Sequence, residues 1–231
     1  MRNKKNYRAK EISRFIGKAG TLIDVGTDHA YIPIECLMEG ICHNAMATDI
    51  SMPSLRKASE NIRRHNLSDR IETILSDGLK NVEITQSTAI VIAGLGSLSM
   101  IRIIENSKDK IKEDTVLVLQ PASRSESLKK YLFENSFDIT AESFFIYKKR
   151  PYQIIRCNIG YNRIYMDSDE DPRLFVPSLY DNKEKSALKA HIMSVLKKQK
   201  KALSGYEITG DARLERQKRL VGFLEEYYES L

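Results

Sequence analysis

The stretch TLIDVGTDHAYIPIECL, residues 21–37, decides the fold. Residues 21–25 form an apolar run of strand length. The chain turns at Gly26 and enters an apolar helical pattern over residues 32–38, where Pro33 is tolerated in the first turn. Strand, glycine turn and helix open a nucleotide-binding α/β unit. Yet Asp28 and Ala30 stand where a dinucleotide loop usually carries its second and third glycines. A pyrophosphate needs backbone amides and a helix N-terminus, and carboxylates there would repel it. A ligand without phosphate, carrying positive charge, is compatible with them.

The same alternation continues downstream. A helix over residues 10–17 precedes the quoted stretch, with Ile12, Phe15 and Ile16 on one face. Residues 44–48 read as a second strand ending at Asp49. Ser51 can cap the next helix, which runs to about His65 with Leu55, Ala58 and Ile62 in register. Residues 70–75 are a third strand followed by Asp77-Gly78. TAIVIAGLGS holds a buried strand over residues 89–92 that breaks into a glycine turn, and a helix follows over 98–104. TVLVLQP is the fifth strand, stopped by Pro121, and a helix starting at Ser123 or Ser125 reaches about Asn135. Strands over 143–147 and 152–159 are joined through KKRP. Strands alternating with helices predict right-handed crossovers and a mostly parallel sheet. The short last connection predicts an antiparallel hairpin at one edge. The expected fold class is α/β, a Rossmann-like, mostly parallel seven-stranded sheet on the plan of class I S-adenosylmethionine-dependent methyltransferases.

The character of the chain changes near Asp167. DSDEDPR is acidic and turn-forming, residues 183–203 are helical in pattern, SGYEITGD (204–211) reads as a loop, and residues 212–231 carry Leu214, Val221, Leu224 and Tyr228 near heptad spacing. The expected organisation is a Rossmann-like domain at 1–167 and a coiled-coil-like α-helical hairpin domain at 168–231.

Composition narrows the class. With 231 residues, 42% hydrophobic and 29% charged, the chain resembles a soluble globular protein. No apolar run nears the ~18 residues of a membrane span, and the basic start MRNKKNYRAKE lacks the apolar core of a secretory signal. Cys36, Cys42 and Cys157 are odd in number and have no Cys-x-x-Cys spacing, so neither a disulfide framework nor structural zinc is expected. Packing roles and a cytoplasmic location follow; no metal and a monomer are expected. A net charge of +6 leans toward a polyanionic partner.

Four elements converge on the carboxyl ends of the strands, where ligands of doubly wound folds lie. The first is Asp24, Gly26 and Thr27, joined by Asp28. The second is Asp49, with Ile50 beside it, placed to accept hydrogen bonds from ribose hydroxyls. The third is Asp77-Gly78, placed to meet an adenine amino group. The fourth is Ala93, Gly94, Leu95 and Gly96. S-adenosylmethionine carries a sulfonium, an amino group and no phosphate, so this acidic set favours it over NAD.

With these residues assembled, the sequence resembles the TrmK family of bacterial tRNA (adenine-N1)-methyltransferases. The likeness rests on DVGTDHAYIP (24–33), DGL (77–79), AGLGS (93–97) and LQP (119–121), and extends to Arg8 and the helical tail. It implies S-adenosylmethionine as cofactor, tRNA as partner and methylation of adenine N1 at position 22. The chain departs from the family at Ser97, where a second glycine is usual, at Ala122, where Asn is usual, and at Gln153, where Glu is usual. Neutral adenine N1 already has a lone pair, so the protein's work is positioning, exclusion of water and negative potential near the developing cation. The base must leave any pair or stack. Asp28 and His29 are candidates for contact with substrate or methionine, with Tyr31 packing on one of them; His29 could instead only cap the helix. Arg8, Leu95, Pro121, Lys197 and Lys198 are candidate substrate contacts. Arg2, Lys4, Lys5, Lys10, Lys148-Lys149-Arg150, Lys200 and Lys201 extend the basic set. A methyltransferase of small molecules, or a non-catalytic tRNA-binding protein on the same scaffold, would share most of these features.

Overall fold

The computed structural model describes residues 7–160, 163–180 and 185–231; Arg2, Lys4 and Lys5 lie outside them. The order of elements is α1 (Tyr7–Ile16), β1 (Thr21–Val25), α2 (Tyr31–Met38), β2 (Asn44–Asp49), α3 (Met52–Arg64), β3 (Ile71–Leu75), β4 (Thr88–Ala93), α4 (Ser97–Glu105), β5 (Val116–Gln120), α5 (Ser125–Glu134), β6 (Phe137–Tyr147), β7 (Arg150–Ile159), α6 (Lys185–Thr209) and α7 (Leu214–Ser230). The strands form one sheet in the order β3-β2-β1-β4-β5-β7-β6. β1 to β5 are parallel, and β7 runs antiparallel to both β5 and β6. The expected seven strands and edge hairpin are both present.

The sheet is covered on both faces because its central strands alternate between two cores. Ile90, Ile92, Leu117 and Leu119 pack with Met100, Ile104, Leu128 and Leu132 of α4 and α5. Their neighbours Ala89, Val91 and Val118 pack with Ile12, Ile16, Ile34 and Ile62 of α1, α2 and α3. Each of the Val, Leu, Ile and Met side chains among them, fully buried, contributes about 1.5–3 kcal/mol. Ser51 caps α3 as its position predicts, its hydroxyl accepting from Ser54 N. Neither Ser123 nor Ser125 caps α5; the residue before that helix is Arg124, at φ 55°.

β6 and α6 depart furthest from the sequence reading. β6 begins at Phe137, six residues before the expected start. Its first half alternates Asp138, Thr140 and Glu142 with apolar residues, and a bulge between Ile139 and Ala141 interrupts the register. α6 runs to Thr209, through the stretch read as a loop. Gly205 sits inside the helix, Thr209 Oγ1 donates to Gly205 O at 3.0 Å, and Gly210 at φ 66° ends it.

The C-terminal helices join the main core: Leu196, Leu220, Val221 and Leu224 pack in the same cluster as Leu128 and Leu132. Ala187, Leu188 and Ile192 pack on Phe144 of β6. The approach to them is locked by a buried ion pair. Lys129 Nζ lies 3.2 Å from Glu142 Oε2, and both side chains are fully buried. Lys129 also donates to Val176 O, and Glu142 accepts from Ser178 N and from Gln153 Nε2. Gln153 thus has a physical reason: a carboxylate there would face Glu142 across a buried contact.

Candidate active site

A cavity of about 480 Å³ opens beyond the ends of β1 and β4 and is lined by Arg8, Asp24, Gly26, Thr27, Asp28, His29, Tyr31 and Ala93, and by Tyr147, Lys148 and Tyr152 of the closing hairpin. The turn after β1 is shaped by its backbone. Gly26 has φ 77°, and Asp28 and Ala30 are also left-handed at φ 47° and 54°. Gly26 N and Thr27 N both donate to Thr48 O at the end of β2, at 2.9 and 3.0 Å, which folds the turn over the sheet.

Asp24 is buried, and its Oδ2 accepts from Thr27 Oγ1 at 2.6 Å. Burial pushes its carboxyl up to about 6; the Thr27 hydrogen bond and then the Arg8 charge oppose the rise, and Asp49 adds to it. Arg8 reaches in from α1. A Cβ on Gly94, which has φ 82°, would stand 2.6 Å from Arg8 Nη2, so a glycine there leaves room for the guanidinium. Arg8 Nε is buried without a hydrogen-bond partner.

Asp28 is exposed, its Oδ2 3.6 Å from His29 Nε2 and its Oδ1 4.0 Å from Lys57 Nζ. The His29 ring stacks on Tyr31 with centroids 5.3 Å apart. His29 does not cap α2: the capping position is Ala30, without a side-chain hydrogen bond. Its carbonyl accepts from Asn61 Nδ2 at 2.7 Å.

The remaining candidates fall into three groups. Asp49, Ile50, Asp77 and Gly78 stand at the ends of β2 and β3, beside the cavity rather than in its lining. Asp49 accepts from Ser51 N at 2.9 Å and from Asp28 N at 3.4 Å. Ile50 is 72% exposed and Leu75 48%, an apolar step between the two acids. Asp77 is paired with Lys80 at 2.6 Å, which holds its carboxyl below the usual range. Gly94, Leu95, Gly96 and Pro121 belong to the turns after β4 and β5. These turns are tied together by Ala122 N donating to Leu95 O at 2.8 Å and Ser97 Oγ donating to Ser123 O at 2.7 Å. Ser97 therefore works as a strut here. Lys197 and Lys198 lie on α6, outside the cavity lining, and Lys198 pairs with Glu126 of α5 at 2.7 Å. The structure does not bring these two lysines to the cavity.

Tyr147 and Tyr152 line the cavity without being among the expected site residues, although Tyr152 stands before Gln153 as the tyrosine of the family's usual Tyr-Glu pair. Their sequence signal is slight: three rings, Phe145, Tyr147 and Tyr152, at the tip of a hairpin. Among the described residues no group of His, Cys, Asp and Glu is placed to hold a metal ion. All three cysteines are buried, and burial pushes each thiol up, that of Cys42 to about 11.

Five parallel strands closed by an antiparallel hairpin, with an acidic cleft at their carboxyl ends, define a class I methyltransferase fold. A family model described as a methyltransferase domain matches residues 6–155, and the chain belongs to that family. It is 24% identical to the tRNA (adenine(22)-N(1))-methyltransferase of Bacillus subtilis over 157 residues, 68% of this chain and 66% of that protein's length. The Streptococcus pneumoniae protein Sp1610, solved in complex with S-adenosyl-L-methionine, is 26% identical with a TM-score of 0.76, covering 93% of this chain and 98% of that one. M. capricolum TrmK, solved with S-adenosyl-homocysteine, shares the fold at 22% identity and a TM-score of 0.74, covering 96% of this chain and 97% of that one. The resemblance expected from the motifs is borne out by the Bacillus subtilis relative.

Proposed function

We propose that the protein is an S-adenosylmethionine-dependent methyltransferase acting on N1 of an adenine in tRNA, at the position, 22, named for the Bacillus subtilis relative. The observation that carries this reading is the pairing of a buried carboxylate with a buried, unsatisfied guanidinium nitrogen in one cavity. An amino-acid end carries both an ammonium and a carboxylate, and Asp24 and Arg8 complement them. Thr27 orients Asp24, while Gly26 and Gly94 let backbone come close. The Asp49 carboxylate has acceptor capacity left for ribose hydroxyls, and the exposed Ile50 offers an apolar face to an adenine ring. The cofactor supplies an electrophilic methyl group when bound.

The chain's residues do the rest without a general base, since adenine N1 already presents a lone pair. Asp28 and His29, with Tyr31 beneath the His29 ring, stand at the rim of the Asp24 cavity. Asp28 places negative potential where the product's positive charge develops. The turns at Gly94 to Gly96 and at Pro121 form the floor under the base. The protein works as a monomer in the cytoplasm, and residues 168–231 contribute to holding the tRNA.

Mass spectrometry of nucleosides from unmodified tRNA, incubated with protein and S-adenosylmethionine, tests the reading. N1-methyladenosine at one position is expected. Methyl transfer to a metabolite extract with tRNA left untouched would replace it with the small-molecule reading.

A further inference from the structure

The cavity has a wall that the proposed cofactor contacts leave unused. The closing hairpin sends Tyr147, Lys148 and Tyr152 into its lining. The two tyrosines are held from behind. Tyr152 stacks on Phe145 at 5.3 Å and 17°, and Phe145 is 2% exposed. Tyr147 meets Tyr152 edge-on at 6.0 Å, stacks against Tyr7 at 6.3 Å and carries the Lys148 ammonium 5.4 Å from its ring centroid. Lys148 and Lys149 form the turn, with φ 49° and 64°. A two-residue turn of this hand ordinarily takes Asn-Gly. Lysine there costs backbone energy, so the turn keeps two cations at its own expense.

Resting on the tRNA-methylation reading, we infer that Tyr152 forms the stacking face for the extruded adenine, walled by Tyr147, with Lys148 swinging from the Tyr147 ring to the phosphate beside the base. The sheet order separates this face from the cofactor's own adenine. Asp49, Ile50 and Asp77 stand on the β2–β3 side of β1, whereas the hairpin lies beyond β4 and β5 on the other side. A flat ring received there has the methyl-donor end of the cavity, at Asp24 and Ala93, next to it. A Tyr152 ring backed by Phe145 loses little freedom on receiving a base. Stacking offsets the cost of taking the base out of its helix. Lys148 fits a nucleic acid, whose flipped nucleotide brings its phosphate along; a free metabolite ring would make no use of it.

Two measurements on the full chain separate the possibilities: S-adenosylmethionine affinity by calorimetry, and single-turnover methylation of unmodified tRNA. Tyr152→Ala should lower tRNA methylation efficiency about tenfold, the scale of one lost base stack. Tyr152→Phe should restore it, and cofactor affinity should hold within about twofold in both. Lys148→Glu sits on an exposed turn and does not threaten folding. It should weaken tRNA about tenfold and flatten the salt dependence of binding. Cofactor affinity falling in step with turnover would reassign the tyrosines to the cofactor. Unchanged tRNA kinetics in both Tyr152→Ala and Lys148→Glu would overturn the inference while leaving tRNA methylation standing. A wild-type protein that binds S-adenosylmethionine and methylates no tRNA would remove both.

Discussion

Asp24 carries a pH consequence that reaches the cavity itself. Its carboxyl is raised to about 6, mainly by burial. A raised folded-state value means that the acid form is the one the fold prefers. The stability this gives is fully present below the ordinary carboxylate value and is lost as pH rises through about 6. Above that pH the ionised group burdens the unliganded protein, by an amount on the order of 2–3 kcal/mol. Asp24→Asn should therefore raise the melting temperature at pH 7.5 without ligand, while it weakens S-adenosylmethionine binding. In the wild type, cofactor affinity should fall as pH drops through about 6, and the Asn variant should show a flat profile. Calorimetry from pH 5 to 8 checks both signs; a wild-type profile as flat as the variant's would mean that Asp24 does not face the cation. Gly94 offers a second residue-scale test. Gly94→Ala must strain a left-handed backbone and displace Arg8, so cofactor affinity should drop about tenfold with a stability loss of about 1 kcal/mol. Asp24 and Gly94 were both legible in the sequence, because each sits at the end of an apolar strand run. Their partnership with Arg8 was not, since α1 reaches them only through packing on α2 and the sheet.

At the scale of elements, the buried pair Lys129–Glu142 decides how the end of the sheet is closed. β6 is an edge strand. The main chain beyond it covers that edge, with Glu142 N donating to Leu179 O at 2.7 Å. Lys129, Ser178 and Gln153 fill the remaining positions around the Glu142 carboxylate. Removing one partner strands the other charge in a dry site. Lys129→Ala should therefore cost about 3–5 kcal/mol, and residues 174–180 should exchange their amide hydrogens faster. Replacing Lys129 and Glu142 together by Met and Leu should recover much of that loss. Denaturant unfolding of the two variants makes the comparison. The same network explains the weakest part of the sequence reading. Fully buried parallel strands such as β4 announce themselves as apolar runs, but the first half of β6 alternates with Asp138, Thr140 and Glu142. A buried Glu looks like a solvent-facing one until Lys129 arrives from another helix. The end of α6 misled in the opposite sense, because Gly205 and Ser204 have turn-forming chemistry yet continue a helix already propagated from Lys185.

Over the whole molecule, the question is which positive charges meet RNA. The chain carries +6, and its basic residues are divided by pairing. On α6, Lys198 and Lys200 are bonded to Glu126 and Glu225 at 2.7 and 2.5 Å. Lys197 and Lys201 are exposed and enter none of the ion pairs found among the described residues. The sequence shows four similar lysines; only the fold tells the two groups apart. Removing residues 168–231 would be a poor probe of this surface, because it strips Leu196, Leu220, Val221 and Leu224 from the core shared with α5. Charge reversal leaves that core intact. If the C-terminal helices hold tRNA through phosphates, each lysine that neutralises one adds close to one unit to the slope of log affinity against log salt. Lys197→Glu with Lys201→Glu should then reduce the slope by about two, leaving cofactor affinity and melting temperature unchanged. Lys198→Ala with Lys200→Ala should change the slope by less, since those ammonium groups already have carboxylate partners. Filter binding of tRNA across a salt series reads both. Equal slopes in wild type and the Lys197/Lys201 variant would take α6 off the RNA surface and leave the helical pair as a cover for the sheet, with the hairpin at Lys148 as the place where RNA is held.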